Sequence, residues 1–210
     1  MSDSTVDSDR VVELRRHLVK QPELRIDAGP RVLKLRSRHG LFSARALDEG
    51  SALLLRELER LPAPSRVLDL GCGYGAIGLT LAARWPDAQV DMVDTDMRAV
   101  ESAAQNIARN RLANATVTLS DGIRQLRQPL HAYDLVVANL PAQAGNDALD
   151  QLLLDAYDAM LDGGSLALVV VNGLRKYLTR RLVDIFGPTR VAKVKQSSAH
   201  TVLEAAKLGT

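Results

Sequence analysis

A glycine-rich segment lies between an apolar run and a helical pattern, and it limits the folds that this chain can adopt more than any other feature does. Residues 66–78 read Arg-Val-Leu-Asp-Leu-Gly-Cys-Gly-Tyr-Gly-Ala-Ile-Gly. The apolar residues before Gly71 predict a buried strand, and the glycines predict a loop that another molecule can approach closely. Apolar residues then recur with the spacing of a helix that packs on a sheet. This order of elements predicts a nucleotide-type cofactor site, because backbone N–H groups and a helix N-terminus face the ligand.

Two classes of cofactor compete for this loop. Gly73, Gly75 and Gly78 match the G-x-G-x-x-G fingerprint of dinucleotide sites. Asp69 instead favours S-adenosylmethionine (SAM), because a carboxylate beside the loop repels a pyrophosphate but attracts the ammonium and sulfonium groups of SAM. The alternative role of Asp69 is to cap a helix or loop. We predict that the loop binds SAM through Asp69, Gly71, Gly73 and Gly75. A dinucleotide site is the competing interpretation.

A second acidic residue stands where the next predicted strand ends. Open parallel sheets bind ligands at the carboxyl ends of their strands. Asp94 follows Gly71 by about the twenty residues typical of a carboxylate that binds ribose hydroxyls, a group that SAM and NAD share. Asp96 is the better candidate for the N-cap of the following helix. We therefore predict that Asp94 and Thr95 contact the cofactor.

Composition bounds the class of protein. At 210 residues and 46% hydrophobic content, the chain is long enough for one domain with a sizeable core, and its net charge of +2 permits a nucleic-acid partner. The sequence has no run for a membrane helix and no export signal, and one cysteine excludes an internal disulfide, so we expect a cytosolic protein. That cysteine, Cys72, lies in the glycine loop without a neighbouring base, which argues against a nucleophile. The four histidines show no metal-ligand spacing, and we expect no metal.

Hydrophobic periodicity and turn residues divide the chain into a tail, an extension and an α/β domain. Residues 1–9 predict a disordered tail, and residues 10–47 an extension with a helix at 10–20 and a hairpin of strands at 24–26 and 32–35. From residue 48 to 210 a helix at 48–61 precedes alternating strands and helices, which predict a parallel sheet covered on both faces. The strands are expected at 66–70, 89–93, 115–119, 133–138 and 165–171, the helices at 75–84, 97–110, 147–160 and 173–186, and a final hairpin at 190–195 and 201–205.

The strand predicted at 133–138 is followed by the motif Asn139-Leu140-Pro141-Ala142, whose polar groups suit a particular reaction. An exocyclic amine is a poor nucleophile because its lone pair is delocalised. The side-chain oxygen of Asn139 and the backbone carbonyl of Leu140 can accept its two hydrogens, which turns the lone pair toward a methyl donor. Pro141 keeps the residue before it extended. The alternative interpretation is a simple Asn-x-Pro turn at the end of a strand.

With these motifs placed, the chain resembles the methyltransferase small domain family, and within it the rRNA guanine-N2 methyltransferases of type C. The likeness runs from about residue 40 to the end of the chain. The larger rRNA enzymes carry a second, degenerate copy of the domain for which this chain has no room, so we expect a stand-alone member. The matching stretches are Gly40–Ser43, Leu47–Ser51, Gly71–Gly78, Asp94, Asn106 with Asn110, Asp121, Asn139 with Pro141, Gly163-Gly164 and Thr201–Ala205.

The resemblance implies a fold, a cofactor and an acceptor. The fold is a seven-stranded Rossmann-like class I SAM methyltransferase sheet with helices on both faces. The cofactor is SAM, with Asp121 accepting from the adenine amino group beside Gly122, unless Asp121-Gly122 is only a turn. The acceptor is an exocyclic amino nitrogen, guanine N2 in ribosomal RNA, and the catalytic residues are Asn139, Leu140 and Pro141. Asn139 is also expected to contact the cofactor.

One position departs from the pattern of the family. Ala142 replaces the usual aromatic residue, which removes a base-stacking surface worth about 1–3 kcal/mol. We predict that Phe42 supplies a stacking ring instead. Basic residues at alternate positions would project from one face of a strand and contact RNA phosphates, although a merely solvated face is the alternative. These predicted substrate-binding residues are Lys34, Arg36 and Arg38.

Other functions stay open at this point. Loss of the aromatic residue permits a protein amide or a small molecule as the acceptor, or a SAM-binding protein without catalysis. The glycine fingerprint permits an NAD-type oxidoreductase, but the sequence shows no Tyr-x-x-x-Lys or other hydride-transfer pair, and the Asn139 motif would have no purpose in one.

Overall fold

The computed structural model describes residues 10–13, 23–38, 46–127 and 130–209. Predictions for residues 1–9, for most of the helix at 10–20 and for Phe42 lie outside these ranges; residues 10–13 are helical. Within the described ranges no helix is long and apolar enough to span a membrane.

Nine strands and five longer helices build the part of the molecule within the described ranges. The predicted elements are present with small shifts, the largest at the strand Met160–Val171, which was predicted to begin at residue 165. Short 3₁₀ helices lie at Leu58–Arg60 and Pro188–Arg190. The strands are β1 Glu23–Asp27, β2 Val32–Arg36, β3 Arg66–Leu70, β4 Gln89–Asp94, β5 Ala115–Leu119, β6 Tyr133–Asn139, β7 Met160–Val171, β8 Val191–Gln196 and β9 His200–Ala206. The helices are α1 Glu49–Glu57, α2 Ala76–Arg84, α3 Met97–Asn110, α4 Asn146–Ala159 and α5 Arg175–Phe186.

Seven strands form one sheet in the order β5-β4-β3-β6-β7-β9-β8. Strands β3 to β7 are parallel, as predicted, and β9 inserts antiparallel between β7 and β8. The chain reverses its direction of travel between β3 and β6, and such a switch point opens a crevice at the carboxyl ends of the strands. The register aligns Leu70 with Val93 on one side and with Ala138 on the other. Gly71 therefore leaves the sheet between Asp94 and Asn139.

Alternate residues of the central strands pack into two separate cores. On β6, Leu135 and Val137 face α1, α2 and the hairpin, whereas Val136 and Ala138 face α4 and α5. The helices thus cover both faces of the sheet. Asn139 continues the first set, so its side chain points to the α1 and α2 face.

The hairpin β1–β2 is attached to the body through two asparagine side chains of α3. Asn110 accepts from the Lys34 amide at 2.9 Å and donates to the Lys34 carbonyl at 3.0 Å. Asn106 pairs with Arg36 in the same way, at 2.8 and 2.9 Å. Each side-chain amide therefore pairs with the backbone of β2 as a neighbouring strand would. Asn106 also donates to the Tyr74 carbonyl at 2.9 Å, which links the hairpin to the glycine loop.

Candidate active site

The glycine loop adopts backbone conformations that favour glycine. Gly71, Gly73 and Gly75 have φ angles of 73°, 57° and 90°, and Gly75 is the N-cap of α2. The backbone amides of Gly71 and Cys72 both donate to the Val93 carbonyl, at 2.9 and 3.0 Å, which anchors the loop to β4. Cys72 is buried, and burial raises the pKa of its thiol well above the ordinary value. It therefore lacks the thiolate character of a nucleophile.

Asp69 lies inside β3, only 1% exposed, with its carboxylate directed at the start of α2. Its Oδ2 accepts from the Gly78 amide at 2.8 Å, so the capping role is real. Its Oδ1 is also buried but has no partner among the described residues. Burial raises the pKa of Asp69 to about 7; the Gly78 hydrogen bond lowers it and the charge of Asp94 raises it further. A buried carboxylate oxygen without a hydrogen-bond donor is rare. Such an oxygen is suited to accept a hydrogen bond from a cationic ligand or from a water molecule bound to that ligand.

Asp94 stabilises the glycine loop from the end of β4. Its Oδ2 accepts from the Gly73 amide at 2.8 Å and its Oδ1 from the Asp96 amide at 2.9 Å. Asp96 is the N-cap of α3, as predicted, and accepts from the Arg98 amide at 2.8 Å. Thr95 lies between the two acids. The structure thus brings Asp94 and the loop together and assigns the capping role to Asp96.

Asp121 and Gly122 follow β5 on the outer side of Asp94. The Asp121 side chain is exposed and lies 3.0 Å from the Arg124 guanidinium. Gly122 has a φ of 60°, and a methyl group there would collide with the Asp155 carboxylate at 1.7 Å. The Asp-Gly turn is therefore present, and its carboxylate faces solvent.

Two exposed apolar side chains flank this part of the site, and sequence reasoning missed both. Met97 opens α3 and is 51% exposed, and Leu119, the register partner of Asp94, is 39% exposed. Large apolar groups left in contact with water beside a polar cleft mark a surface for a flat apolar ligand. The available signal was an apolar residue close to an acidic one near each strand end, since Met97 follows Asp96 directly and Leu119 precedes Asp121 by two positions.

Asn139 ends β6 and is held by the N-terminus of α1. Its Nδ2 donates to Asp48 Oδ1 and to Ser51 Oγ, both at 2.9 Å. The side chain of Leu140 is buried, and its amide donates to the Val169 carbonyl at 3.0 Å. The Pro141 carbonyl accepts from the Ala144 amide at 3.2 Å. The motif therefore forms a turn, and its asparagine side chain lies beside the glycine loop.

Further polar residues gather around Asp48 that the sequence did not single out. Tyr74 is buried, and burial together with the charge of Asp48 raises its pKa to about 12; no described residue bonds its hydroxyl. His200 also has a buried Nδ1 without a described partner. A methyl group at Gly50 would lie 3.1 Å from both Asp48 Oδ1 and His200 Cδ2. The Asp48-x-Gly50-Ser51 stretch at a helix N-terminus was the one sequence signal for this group of residues. It contains neither Tyr74 nor His200.

The predicted basic face is smaller than expected. Lys34 and Arg36 are exposed on the same face of β2, as predicted. The assignment of Arg38 to this strand face was wrong, because β2 ends at Arg36 and Arg38 donates to Glu101 at 2.6 Å. Arg36 itself lies 3.8 Å from Glu23, so part of its charge is balanced.

The charges around the loop fit SAM better than a dinucleotide. Asp48, Asp69 and Asp94 all lie within interaction range of the loop residues. A carboxylate set of this kind attracts an ammonium or a sulfonium and repels a pyrophosphate. No group of residues in the described ranges has the arrangement of a metal site.

Comparison with known proteins gives concordant matches. The sequence profile of the methyltransferase small domain matches residues 32–204. The ribosomal RNA small subunit methyltransferase C of Pseudomonas entomophila is 35% identical over 175 residues, 81% of this chain and 51% of that protein. Its counterpart in Pseudomonas fluorescens is 37% identical over 164 residues, 76% of this chain and 47% of that protein. The chain spans about half the length of these relatives.

Solved structures agree on the fold. The 16S rRNA N2 methyltransferase RsmC of T. Thermophilus, in complex with AdoMet and guanosine, has a TM-score of 0.77 and 28% identity, covering 88% of this chain and 50% of that one. The TYW2 protein of M. jannaschii, in complex with AdoMet, has a TM-score of 0.63 at 18% identity, covering 89% and 86%. The second likeness concerns the fold alone. The sheet is that of the class I SAM methyltransferases, as the sequence predicted.

Proposed function

The chain belongs to the methyltransferase small domain family, and from this premise we propose that it transfers a methyl group from SAM to guanine N2 of ribosomal RNA. The observation that carries the proposal is the Asn139 amide, which lies at the strand end next to the glycine loop and whose oxygen receives no hydrogen bond from any described residue. The relatives named for rRNA methylation support the RNA acceptor.

The cofactor site draws on the acidic residues at the strand ends. Asp69 Oδ1 would receive a hydrogen bond from the ammonium of SAM or from a bridging water, since it has no described partner. Asp94 and Thr95 would hold the ribose, and Asp121 with Gly122 would bind the adenine between Met97 and Leu119. An added methyl group at Gly71 or Gly73 would enter open space, so these two glycines would leave room for the methionine part, whereas at Gly75 it would collide with Leu79 at 2.8 Å. When bound, SAM supplies an electrophilic methyl carbon on its sulfonium.

The acceptor site orients an amine and does not deprotonate it in advance. Asn139 Oδ1 and the Leu140 carbonyl would accept the two amine hydrogens, so that the nitrogen lone pair points at the methyl carbon. Formation of the nitrogen–carbon bond would be matched by cleavage of the carbon–sulfur bond, so that the positive charge would pass from the sulfonium to the amine, where these two oxygens would stabilise it. S-adenosylhomocysteine would be the leaving group, and loss of one amine proton to water would give the neutral methylated amine. Pro141 restricts the backbone of Leu140 and thereby the direction of its carbonyl.

Two of the proposed RNA contacts lie on the hairpin. Lys34 and Arg36 are exposed and would contact phosphates, while Phe42 would stack on a base in place of the aromatic ring that Ala142 lacks. Arg38 would contribute less, because Glu101 already binds its guanidinium.

The test is transfer of tritiated methyl groups from SAM to naked rRNA and to ribosomal subunits from a strain that lacks this chain. We expect incorporation into one of them, and a fall on the order of a hundredfold in Asn139→Ala. SAM and S-adenosylhomocysteine should bind to both forms in calorimetry, whereas NADH should not. SAM binding without transfer to either RNA would redirect the search to protein amides and small molecules, and NADH binding without SAM binding would overturn the assignment.

A further inference from the structure

Both amide hydrogens of Asn139 are already used within the protein. Nδ2 donates one to Asp48 Oδ1 and the other to Ser51 Oγ, each at 2.9 Å. An asparagine amide has two donors and one acceptor oxygen, so only Oδ1 is left for another molecule. No group in the described ranges donates to that oxygen.

We propose that Asp48 and Ser51 are positioning residues for methyl transfer, which fix the Asn139 amide so that Oδ1 faces the acceptor amine. The inference rests on the proposed function and deepens it. Neither residue touches the amine; both act through Asn139.

The acceptor oxygen of Asp48 decides between the two orientations of the amide. If the Asn139 side chain rotated by 180°, its oxygen would face the Asp48 carboxylate, and two acceptors would meet at hydrogen-bond distance. The same rotation would turn Nδ2 to the acceptor, where it could not receive an amine hydrogen. A residue without an acceptor oxygen at position 48, such as alanine, would not impose this choice.

The framework that holds Asp48 is itself rigid. Asp48 is the N-cap of α1, and its Oδ1 also accepts from the Ser51 amide at 2.9 Å. Ser51 is buried in the first turn of α1. Gly50 permits the Asp48 carboxylate and the His200 ring to pack close to its Cα, since a methyl group there would lie 3.1 Å from each. One carboxylate oxygen thus ties the start of a helix to the end of a strand, 91 residues apart in sequence.

Selectivity for the acceptor follows from this arrangement. A lone acceptor oxygen at Asn139 favours a group that donates a hydrogen and disfavours one that only accepts. An exocyclic amine meets this requirement, whereas a ring nitrogen without a hydrogen does not.

The first test is kinetic and uses Ser51→Ala, which leaves the helix cap of Asp48 intact. Losing one of two hydrogen bonds loosens the amide, so we expect kcat to fall on the order of tenfold, with the Kd for SAM unchanged. The matched control is Ser102→Ala, a buried helical serine that bonds only to the Arg98 carbonyl of its own helix; its kcat should match wild type. Asp48→Asn retains Oδ1 as an acceptor and should keep kcat within about threefold, whereas Asp48→Ala should lose more than Ser51→Ala.

A double-mutant cycle separates positioning from a general structural effect. In the Asn139→Ala background Ser51→Ala should have no further effect on kcat, because the group it positions is gone. An equal fall in both backgrounds, or an unchanged kcat in Ser51→Ala, would overturn the proposal.

A second readout needs no substrate. In ¹H–¹⁵N spectra of the cofactor-free protein, the side-chain NH₂ signals of Asn139 are assigned by their absence from Asn139→Ala. These signals should be protected from hydrogen exchange in wild type and should exchange faster in Ser51→Ala. An unprotected pair in wild type contradicts the positioning role even if methyl transfer is found. If the Asn139 NH₂ pair is protected but the protein methylates no RNA, the hydrogen-bond geometry of the amide is supported and the proposed function is contradicted. The geometry then has no catalytic role.

Discussion

At the scale of single residues, Asp69 has the least ordinary environment in the described part of the chain. It lies in the middle of a buried strand with one oxygen bonded to an amide and the other unpaired. Its local sequence predicted a carboxylate beside the loop. The depth of burial could not be predicted, because it depends on Met92 and Gly78, which a separate strand and helix bring close to it.

The raised pKa of Asp69 makes stability depend on pH. The cofactor-free native state holds this proton up to about pH 7, whereas the unfolded chain releases it near 3.8. The native state therefore binds more protons between these values, and the contribution of Asp69 to the free energy of unfolding falls as pH rises through this window and is level above it. Urea unfolding at pH 4.5, 5.5, 6.5 and 7.5 should show a smaller fall in Asp69→Asn than in wild type. The exposed Asp87→Asn serves as control, and equal slopes in all three proteins would contradict the burial of an ionisable group.

A second prediction at this scale concerns Asp94. Asp94→Ala should weaken SAM binding by about 1.5–3 kcal/mol in calorimetry, the range for hydrogen bonds to a charged acceptor. It should also destabilise the protein, because the Gly73 and Asp96 amides lose their acceptor. Asp96→Ala is the matched control, since it removes the cap of α3 and an exposed ion pair with Arg98 but should leave SAM affinity as it is. Loss of stability in Asp94→Ala with normal SAM affinity would make Asp94 a structural residue alone.

At the scale of elements, sequence predicted what is decided locally. The hairpin follows from Asp27-Ala-Gly29-Pro30, where Gly29 has a φ of 88° and its amide donates to Asp27 Oδ1 at 2.9 Å. Helix α1 begins after the predicted aspartate. Strand β7 was predicted too short because Gly163-Gly164 indicates a turn. Here the strand continues through it, since Gly164 lets the backbones of Leu161 and Tyr133 come close.

The docking of the hairpin leads to a prediction with a built-in comparison. Asn106→Ala and Asn110→Ala each leave a backbone amide and carbonyl of β2 without partners, so each should lower the free energy of unfolding by about 1–3 kcal/mol. Both should speed hydrogen exchange of β2 amides. Only Asn106→Ala also frees the Tyr74 carbonyl in the glycine loop, so it alone should weaken SAM binding. Equal SAM affinities in the two variants would show that the hairpin and the loop are not coupled.

The candidate site likewise contains residues that nearby sequence predicts and residues that only the folded chain brings together. The loop glycines, Asp94 and Asn139 were predicted because each lies at a strand end with its own spacing signal. The role of Asp48 and Ser51 could not be, since 91 and 88 residues separate them from Asn139 and only the folded sheet brings them together.

At the scale of the whole molecule, charge is divided between an acidic cleft and a basic hairpin face. The net charge of +2 conceals this division. Replacing Lys34 and Arg36 by alanine should raise the KM for RNA and reduce the salt dependence of binding by a slope of about 1–2, with SAM affinity unchanged. Replacing the exposed Lys176 and Arg180 of α5 by alanine provides a charge-matched control. Equal salt slopes in both double variants would place the RNA on another surface.

The asparagine pairing of the hairpin has a further consequence, for the behaviour of many molecules in solution. A strand with an open edge can recruit a strand from another chain and so start aggregation. Asn106 and Asn110 occupy hydrogen-bonding positions at Arg36 and Lys34 on the edge of β2. Apolar packing alone would bury the side chains of this strand but leave its backbone groups ready to join a neighbour. The two amides therefore close this edge to polymerisation while they hold the hairpin in place.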